Sequence, residues 1–294
     1  MEDTRRAIFN VLLPDGQTLH LGERTLVMGI VNVTPDSFSD GGLRADPAVA
    51  VRDALRMVDE GADLLDIGGE STRPGAEPLD LEEEWRRVGP VIDGLRGRTQ
   101  VPISIDTYKA EIARRALDLG ATIVNDISGF TYDPPIAGVV AERGAVAILM
   151  HNRGRSAAMY ERAKYDDVVA EVTAELGARV EAAGAAGVAR SHLMVDPGLG
   201  FAKKPAQTME MIAGLSALAA LGCPVVSGPS RKSFLQAAIG ERPPDARVWG
   251  TAAAVAASIW FGAHIVRVHD VAAMVDVARV TDALMRGPRE SFPA

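Results

Sequence analysis

Asp106, Asn125 and Asp196 each close a short apolar run, and Lys232 follows closely on another. Two carboxylates and an amide converging on one cavity can accept from, and donate to, a heterocycle carrying adjacent N–H groups. An amino-pyrimidinone presents such an edge, and burial makes every mismatch there costly. Lys232 adds a donor for a carbonyl or ring nitrogen. Taken singly, each of these side chains is better explained as a strand-end cap; three of them with a lysine favour a binding site. Asp66 and Asp126 serve equally well as buttresses or as contacts.

A second group suits an anion: Arg267, His269, Arg73 and the pair Ser71-Thr72, with Asn32 nearby. Arginine offers a rigid donor fork that matches phosphate oxygens, and histidine can add another donor. Asn32, together with phosphate oxygens and water, suits Mg2+, which prefers hard oxygen ligands. No His/Cys/carboxylate spacing suggests zinc. Ser227–Ser233 lacks the glycine before the lysine that a nucleotide-triphosphate loop needs, and Gly41-Gly42 and Gly68-Gly69 do not form a dinucleotide fingerprint. No Ser/His/Asp nucleophile set emerges. Of the histidines, His151 and His269 fall at strand ends; His20, His192 and His264 fall at the opposite ends and read as structural.

These side chains must be positioned by repeated units. Eight apolar runs end at Asn32, Asp66, Asp106, Asn125, His151, Asp196, Ser227 and Arg267, each followed by a helix-like stretch. Unbroken apolar runs fit parallel strands covered on both faces. Eight such units predict a (β/α)8 TIM barrel, with the polar residues on the C-terminal rim where barrel chemistry sits. Pro14-Asp15-Gly16-Gln17 between two short apolar stretches predicts an N-terminal β-hairpin over about 9–21, placed to plug the barrel bottom. The barrel spans about 25–287, within one domain covering 1–294. Gly61, Gly120, Gly144, Gly187, Gly222 and Gly262 stand where helix C-caps are expected. Loops 1 (33–46), 2 (68–80) and 5 (152–165), numbered by the strand that each follows, are long for βα connections, and the first two read as lids over the rim.

Nearly half of the 294 residues are apolar, enough for a large core, and the net charge of −8 argues against nucleic-acid and membrane-surface partners. The lone cysteine, Cys223, excludes an intrachain disulfide and fits a reducing compartment. No stretch reads as a signal peptide or a membrane span, so a cytoplasmic location is expected.

Several segments together resemble dihydropteroate synthases, the pterin-binding enzymes of folate biosynthesis. They are Met28–Gly42, Asp66–Gly75, Ser104–Ala110, Asn125–Gly129, Asp196–Phe201, Ser230–Phe234 and Arg267–Asp270, in family order over nearly the whole chain. The resemblance implies an alkyl-group transferase that condenses 6-hydroxymethyl-7,8-dihydropterin pyrophosphate with p-aminobenzoate, giving 7,8-dihydropteroate and pyrophosphate. It implies pterin contacts from Asp106, Asn125, Asp196 and Lys232, and pyrophosphate contacts from Asn32, Arg73, Arg267 and His269, with Mg2+ at Asn32. It implies a p-aminobenzoate pocket from Phe38, Thr72, Pro74, Phe201 and Ser233, with sulfonamides as competitors. Asp40, Lys232 and Arg267 are the expected catalytic residues, with Asp40 closing over the site to stabilise positive charge in an SN1-like transfer. A homodimer through 251–261 and 274–285 is also implied. Loop 5 departs from the family pattern, since no proline follows His151, so contacts from that loop are not carried over. A pterin-dependent methyltransferase needs neither an arylamine pocket nor a pyrophosphate site, and Arg73-Pro74, Ser230–Ser233 and Arg267–His269 speak against it. Intact Asn32, Lys232 and Arg267 speak against a catalytically silent pterin binder.

Overall fold

The structure is a computed structural model that describes residues 6–34, 46–71, 78–154 and 159–286. It opens with the hairpin β1 (Phe9–Leu12) and β2 (Thr18–Leu21), paired from Phe9↔Leu21 to Leu12↔Thr18. Gly16 takes a φ of +87°, which glycine adopts at little cost, and Asp15 Oδ1 accepts from Gln17 N at 3.0 Å to close the turn. Val11, Leu13, Leu19 and Leu21 are buried and join Leu26, Met28, Leu64, Ile123 and Met194 in one apolar cluster. The hairpin's apolar face is therefore the floor of the barrel interior.

Eight parallel strands follow: β3 (Leu26–Asn32), β4 (Leu64–Gly68), β5 (Ile103–Asp106), β6 (Ile123–Asp126), β7 (Val146–Met150), β8 (Leu193–Asp196), β9 (Val226–Ser227) and β10 (Ile265–Val268). Their order is β8-β7-β6-β5-β4-β3-β10-β9, and a parallel bridge between Val195 and Val225 brings the two edges together. The fold is the expected (β/α)8 barrel with its hairpin. Along β3 the pleat sends Met28 into the interior cluster and Val27 and Val31 into the layer under the helices.

The helices are α1 (Pro47–Asp59), α2 (Leu81–Leu95), α3 (Ala110–Asp118), α4 (Pro135–Arg143), α5 (Val168–Ala185), α6 (Pro205–Ala213), α7 (Gln236–Ile239), α8 (Val248–Trp260) and α9 (Val271–Arg286). Asp46, Asp80 and Asp167 cap α1, α2 and α5, each accepting from a first-turn amide at 2.9 Å. Gly144 and Gly222, at φ +59° and +63°, end their helical segments in the left-handed conformation as expected. At the base, Asp282 on α9 accepts from Arg6 at 2.6 Å and from Thr25 N at 2.6 Å, tying the first described residue to the last helix.

Strand register fixes the height of the rim residues. Asn32 lies opposite Gly68, Gly68 opposite Asp106, Asp106 opposite Asn125, and Met150 opposite Asp196. Residues far apart in sequence thus stand at matching levels at the C-terminal end of the sheet.

Candidate active site

Arg267 organises the rim. From β10 its Nε donates to Asp66 Oδ2 at 2.6 Å and its Nη2 donates to Asp106 Oδ2 at 2.7 Å. Asp66 is fully buried, and the same Oδ2 accepts from Asn125 Nδ2 at 2.9 Å. One carboxylate therefore orients both an arginine and an amide. With Nδ2 committed to Asp66, Oδ1 is the face of Asn125 that can accept from a ligand. Burial raises the pKa of Asp106, as does its neighbour Asp66, while Arg267 opposes the shift. The two carboxylates in turn raise that of Arg267, which stays charged.

Asp196 Oδ1 accepts from Gly198 N at 2.7 Å, and burial raises its carboxyl pKa against the pull of Lys232. Lys232 donates to Leu199 O and holds its Nζ 4.5 Å from the centre of the Phe201 ring, a cation–π contact. Desolvation pushes the Lys232 pKa down to about 8, despite Asp196 and Asp106. The turn that presents Lys232 is locked from outside. Arg231, at φ +59°, forms a fork with Asp270, its N donates to Thr251 Oγ1 at 3.0 Å, and its carbonyl accepts from Arg247 at 2.8 Å. Ser233 is exposed at the start of the 3-10 turn Ser233–Leu235.

The residues that suit an anion by type form a second edge. Ser230 Oγ accepts from His269 N at 3.1 Å and lies 3.0 Å from His269 Nδ1. The hydroxyl oxygen, with two lone pairs, can accept from Nδ1–H as well as from that amide, which leaves Nε2 as the acceptor of the ring. Nε2 faces Asn32 Nδ2 at 3.4 Å and can accept from it, which leaves Oδ1 of Asn32 free. Among the described residues, no group of three His, Cys, Asp or Glu side chains could hold a metal ion. Asn32 supplies one neutral oxygen, so a divalent ion here would draw most of its ligands from substrate oxygens and water. That set fits Mg2+, which keeps several waters and binds with phosphates.

Sequence reasoning missed other parts. Tyr108, Ile127 and Met150 form an apolar wall with Tyr132 and Phe201, and Tyr108 packs edge-on to Tyr132 at 5.4 Å. Glu70 accepts from Tyr108 OH at 2.9 Å, from Lys109 Nζ at 2.6 Å and from Leu79 N at 3.0 Å, joining the two sides of loop 2 at its base. Ser230 and Glu70 sit inside recognisable segments, but Tyr132 and Met150 carry no signal of their own. Asp126 proves a buttress, accepting from Ser128 N at 2.6 Å and Phe130 N at 2.9 Å. His151 is fully buried and bonds Glu175 and Lys203 rather than the Asp106–Asp196 group. Phe38, Asp40, Thr72, Arg73 and Pro74 lie outside the described residues.

Residues 28–269 match the family model described as "Pterin binding enzyme". The dihydropteroate synthase of Synechocystis sp. is 48% identical over 275 residues, covering 93% of this chain and 95% of that protein. The structure of Xanthomonas albilineans dihydropteroate synthase with 4-aminobenzoic acid superposes with a TM-score of 0.89 at 44% identity, covering 96% of this chain and all of that one. The same organism's enzyme in complex with 7,8-dihydropteroate gives a TM-score of 0.85 at 42% identity, covering 95% of this chain and 100% of that one. On motif order, barrel geometry and identity over nearly its full length, this chain belongs to the dihydropteroate synthase family of pterin-binding enzymes.

Proposed function

We infer that this protein condenses 6-hydroxymethyl-7,8-dihydropterin pyrophosphate with p-aminobenzoate to give 7,8-dihydropteroate and pyrophosphate. The observation that carries this reading is the adjacency of two edges on one rim. Asp106, Asn125, Asp196 and Lys232 offer a polar face matched to a pterin, and Arg267, which touches that face, leads to the Asn32–His269 edge.

In this reading Asn125 Oδ1 and the Asp106 and Asp196 carboxylates accept from the pterin's N–H groups, and Lys232 donates to its carbonyl or ring nitrogen. Arg267 keeps N–H donors for the pyrophosphate, and His269 lines the same edge beside Asn32. Asn32 would hold Mg2+ together with pyrophosphate oxygens, and the bound ion would supply charge neutralisation for the leaving group. The bond between the pterin methylene and pyrophosphate breaks with its electron pair leaving on oxygen. The dihydropterin ring delocalises the resulting cation, and Asp106 and Asp196 stabilise it across a site of low dielectric. The amine lone pair of p-aminobenzoate attacks the methylene and then releases a proton. A neutral arylamine is already nucleophilic, so no strong base is required.

Phe201 and Ser233, with Phe38, Thr72 and Pro74, supply the p-aminobenzoate side, and Asp40 stabilises positive charge from loop 1. Arg73 joins the pyrophosphate contacts. A second copy of the chain covers the apolar side chains left exposed at Trp249 and Trp260 of α8, Phe261 just after it, and Val280 and Leu284 of α9. The lone, buried Cys223 suits the reducing cytoplasm.

The test is pyrophosphate release from the dihydropterin pyrophosphate, with and without p-aminobenzoate and Mg2+. Mg2+-dependent release accompanied by dihydropteroate supports the reading, and sulfonamides should inhibit competitively with p-aminobenzoate. Tight pterin binding without turnover, or methyl transfer to a corrinoid, would replace it. A monomer by sedimentation at micromolar concentration would remove the dimer.

A further inference from the structure

The loop that follows Asp196 and carries Phe201 is gripped from behind by a side chain that the chemistry above leaves unused. Gly198, Gly200 and Ala202 all take left-handed backbone, at φ +66°, +77° and +47°. For Ala202, with its Cβ, that conformation is strained, and such strain persists only where the surroundings hold it. Gly198 is obligatory, because a Cβ there would meet His151 O at 1.9 Å.

What holds this backbone is Lys203, whose side chain is among the most completely buried in the core. Its Nζ lies 2.9 Å from His151 Nδ1, 3.2 Å from Gly198 O and 3.2 Å from Phe201 O. An ammonium has three donors, and here it finds three acceptors. With Nδ1 accepting, His151 carries its proton on Nε2, 3.0 Å from Glu175 Oε2. Glu175 is also paired with Arg153, and Arg179 secures the neighbouring carbonyls of Met150 and Asn152. Burial drives the pKa of His151 down to about 3, so the ring is neutral and free to accept at Nδ1. Burial lowers that of Lys203 well below the usual lysine value, Lys232 and Arg179 adding to the fall and Asp196 and Glu175 opposing it. Tyr165 OH adds a last tie at 2.9 Å to Ala202 O.

We propose that Lys203 is a positioning residue for both substrate pockets. Its three-point clamp, backed by His151 and Glu175, sets the backbone that follows Asp196 and carries Leu199 and Phe201. Asp196 faces the pterin site, Leu199 O holds Lys232, and Phe201 lies under that lysine. Lys203 thus reaches the pterin and p-aminobenzoate without touching either. This inference rests on the synthase reading above.

The experiment compares the parent protein with Lys203→Met, which keeps an apolar stem and removes all three donors. Steady-state kinetics are run well below both melting temperatures. We expect KM for the dihydropterin pyrophosphate and for p-aminobenzoate to rise tenfold or more, with kcat falling less than KM rises. A lower melting temperature with both KM values within twofold of the parent would make Lys203 structural only and overturn the proposal. A parent protein without synthase turnover removes the functional reading and the clamp with it, whereas an active parent with an unaffected variant removes the clamp alone. Should the variant not fold, 15N NMR of the parent's His151 ring decides. The clamp requires protonated Nε2 and bare Nδ1 from pH 6 to 8, and a ring protonated at Nδ1 would sink it.

Discussion

Asp66 and Arg267, 201 residues apart in sequence, meet at 2.6 Å between Oδ2 and Nε, and the same oxygen accepts from Asn125. Asp66 thereby couples the arginine of the anion edge to the amide of the pterin edge. Asp66→Ala removes the one oxygen that both side chains use, so Arg267 Nε and Asn125 Nδ2 lose their shared acceptor together. Breaking a buried pair costs roughly 3–5 kcal/mol, and because Asp106 still binds Arg267 we expect a loss at the lower end of that range. We also expect Asn125 to turn over and the KM for the dihydropterin pyrophosphate to rise at least tenfold. Chemical denaturation and kinetics on one preparation check both, and an unchanged KM would show that Asn125 is oriented by something else.

Lys232 gives the site an alkaline limit. Its pKa, pushed down to about 8 by burial, means that the cation is present below that pH and is lost above it. We expect kcat/KM to fall as pH rises through about 8, and Lys232→Arg, which stays charged, to lose that limb at reduced activity. Stability carries the opposite sign. The penalty for burying the cation is complete below the folded pKa and fades as pH climbs towards the free lysine value. Lys232→Met should therefore gain stability over the parent at pH 7, with the difference shrinking by pH 10. Thermal melts at the two pH values measure this directly.

Strand ends were legible because a buried parallel strand and its polar terminus contrast so sharply along the chain. Asn32, Asp106, Asp196 and Ser227 are the terminal residues of their strands, as the apolar runs predict. Helix ends were legible for a similar local reason, since Gly61, Gly120, Gly187 and Gly262 all take positive φ. Partnerships were not legible. Nothing local says that Arg267 spends two donors on carboxylates from β4 and β5, because that pairing is made by barrel closure and strand register. Lys203 was invisible for a stronger reason. A Lys-Lys pair after a glycine-rich loop reads as solvated charge, yet the first lysine is buried and the second, Lys204, is exposed. Only the fold turns His151 and two carbonyls towards it.

Ser230 offers a gentler perturbation of the anion edge. Its hydroxyl accepts from His269 N and faces Nδ1 of the same ring. Ser230→Ala removes both and frees the ring to rotate or change tautomer. A neutral hydrogen bond of this kind contributes about 0.5–1.5 kcal/mol, so the KM for the dihydropterin pyrophosphate should rise roughly threefold to tenfold, with the KM for p-aminobenzoate unaffected. If the p-aminobenzoate KM moves equally, the change has spread to Lys232, two residues on, and His269 does not act on one substrate alone.

The hairpin separates stability from function. Leu21 is fully buried at the barrel floor with Val11, Leu19 and Met28, at the opposite end of the strands from Asp106 and Asp196. Leu21→Ala leaves a cavity between hairpin and barrel, and such truncations cost about 2–5 kcal/mol. The hairpin approaches the floor by its own short pairing, so it can settle partly into the space, and a value near the middle of that range is expected. Rim register is fixed by the eight-stranded sheet, which the substitution leaves intact. Denaturant midpoints should therefore fall while kcat and both KM values stay within twofold of the parent at 25 °C. A matching loss of kcat would mean that floor packing reaches the rim through the barrel interior, and that the hairpin helps to shape the site as well as to close the core beneath it.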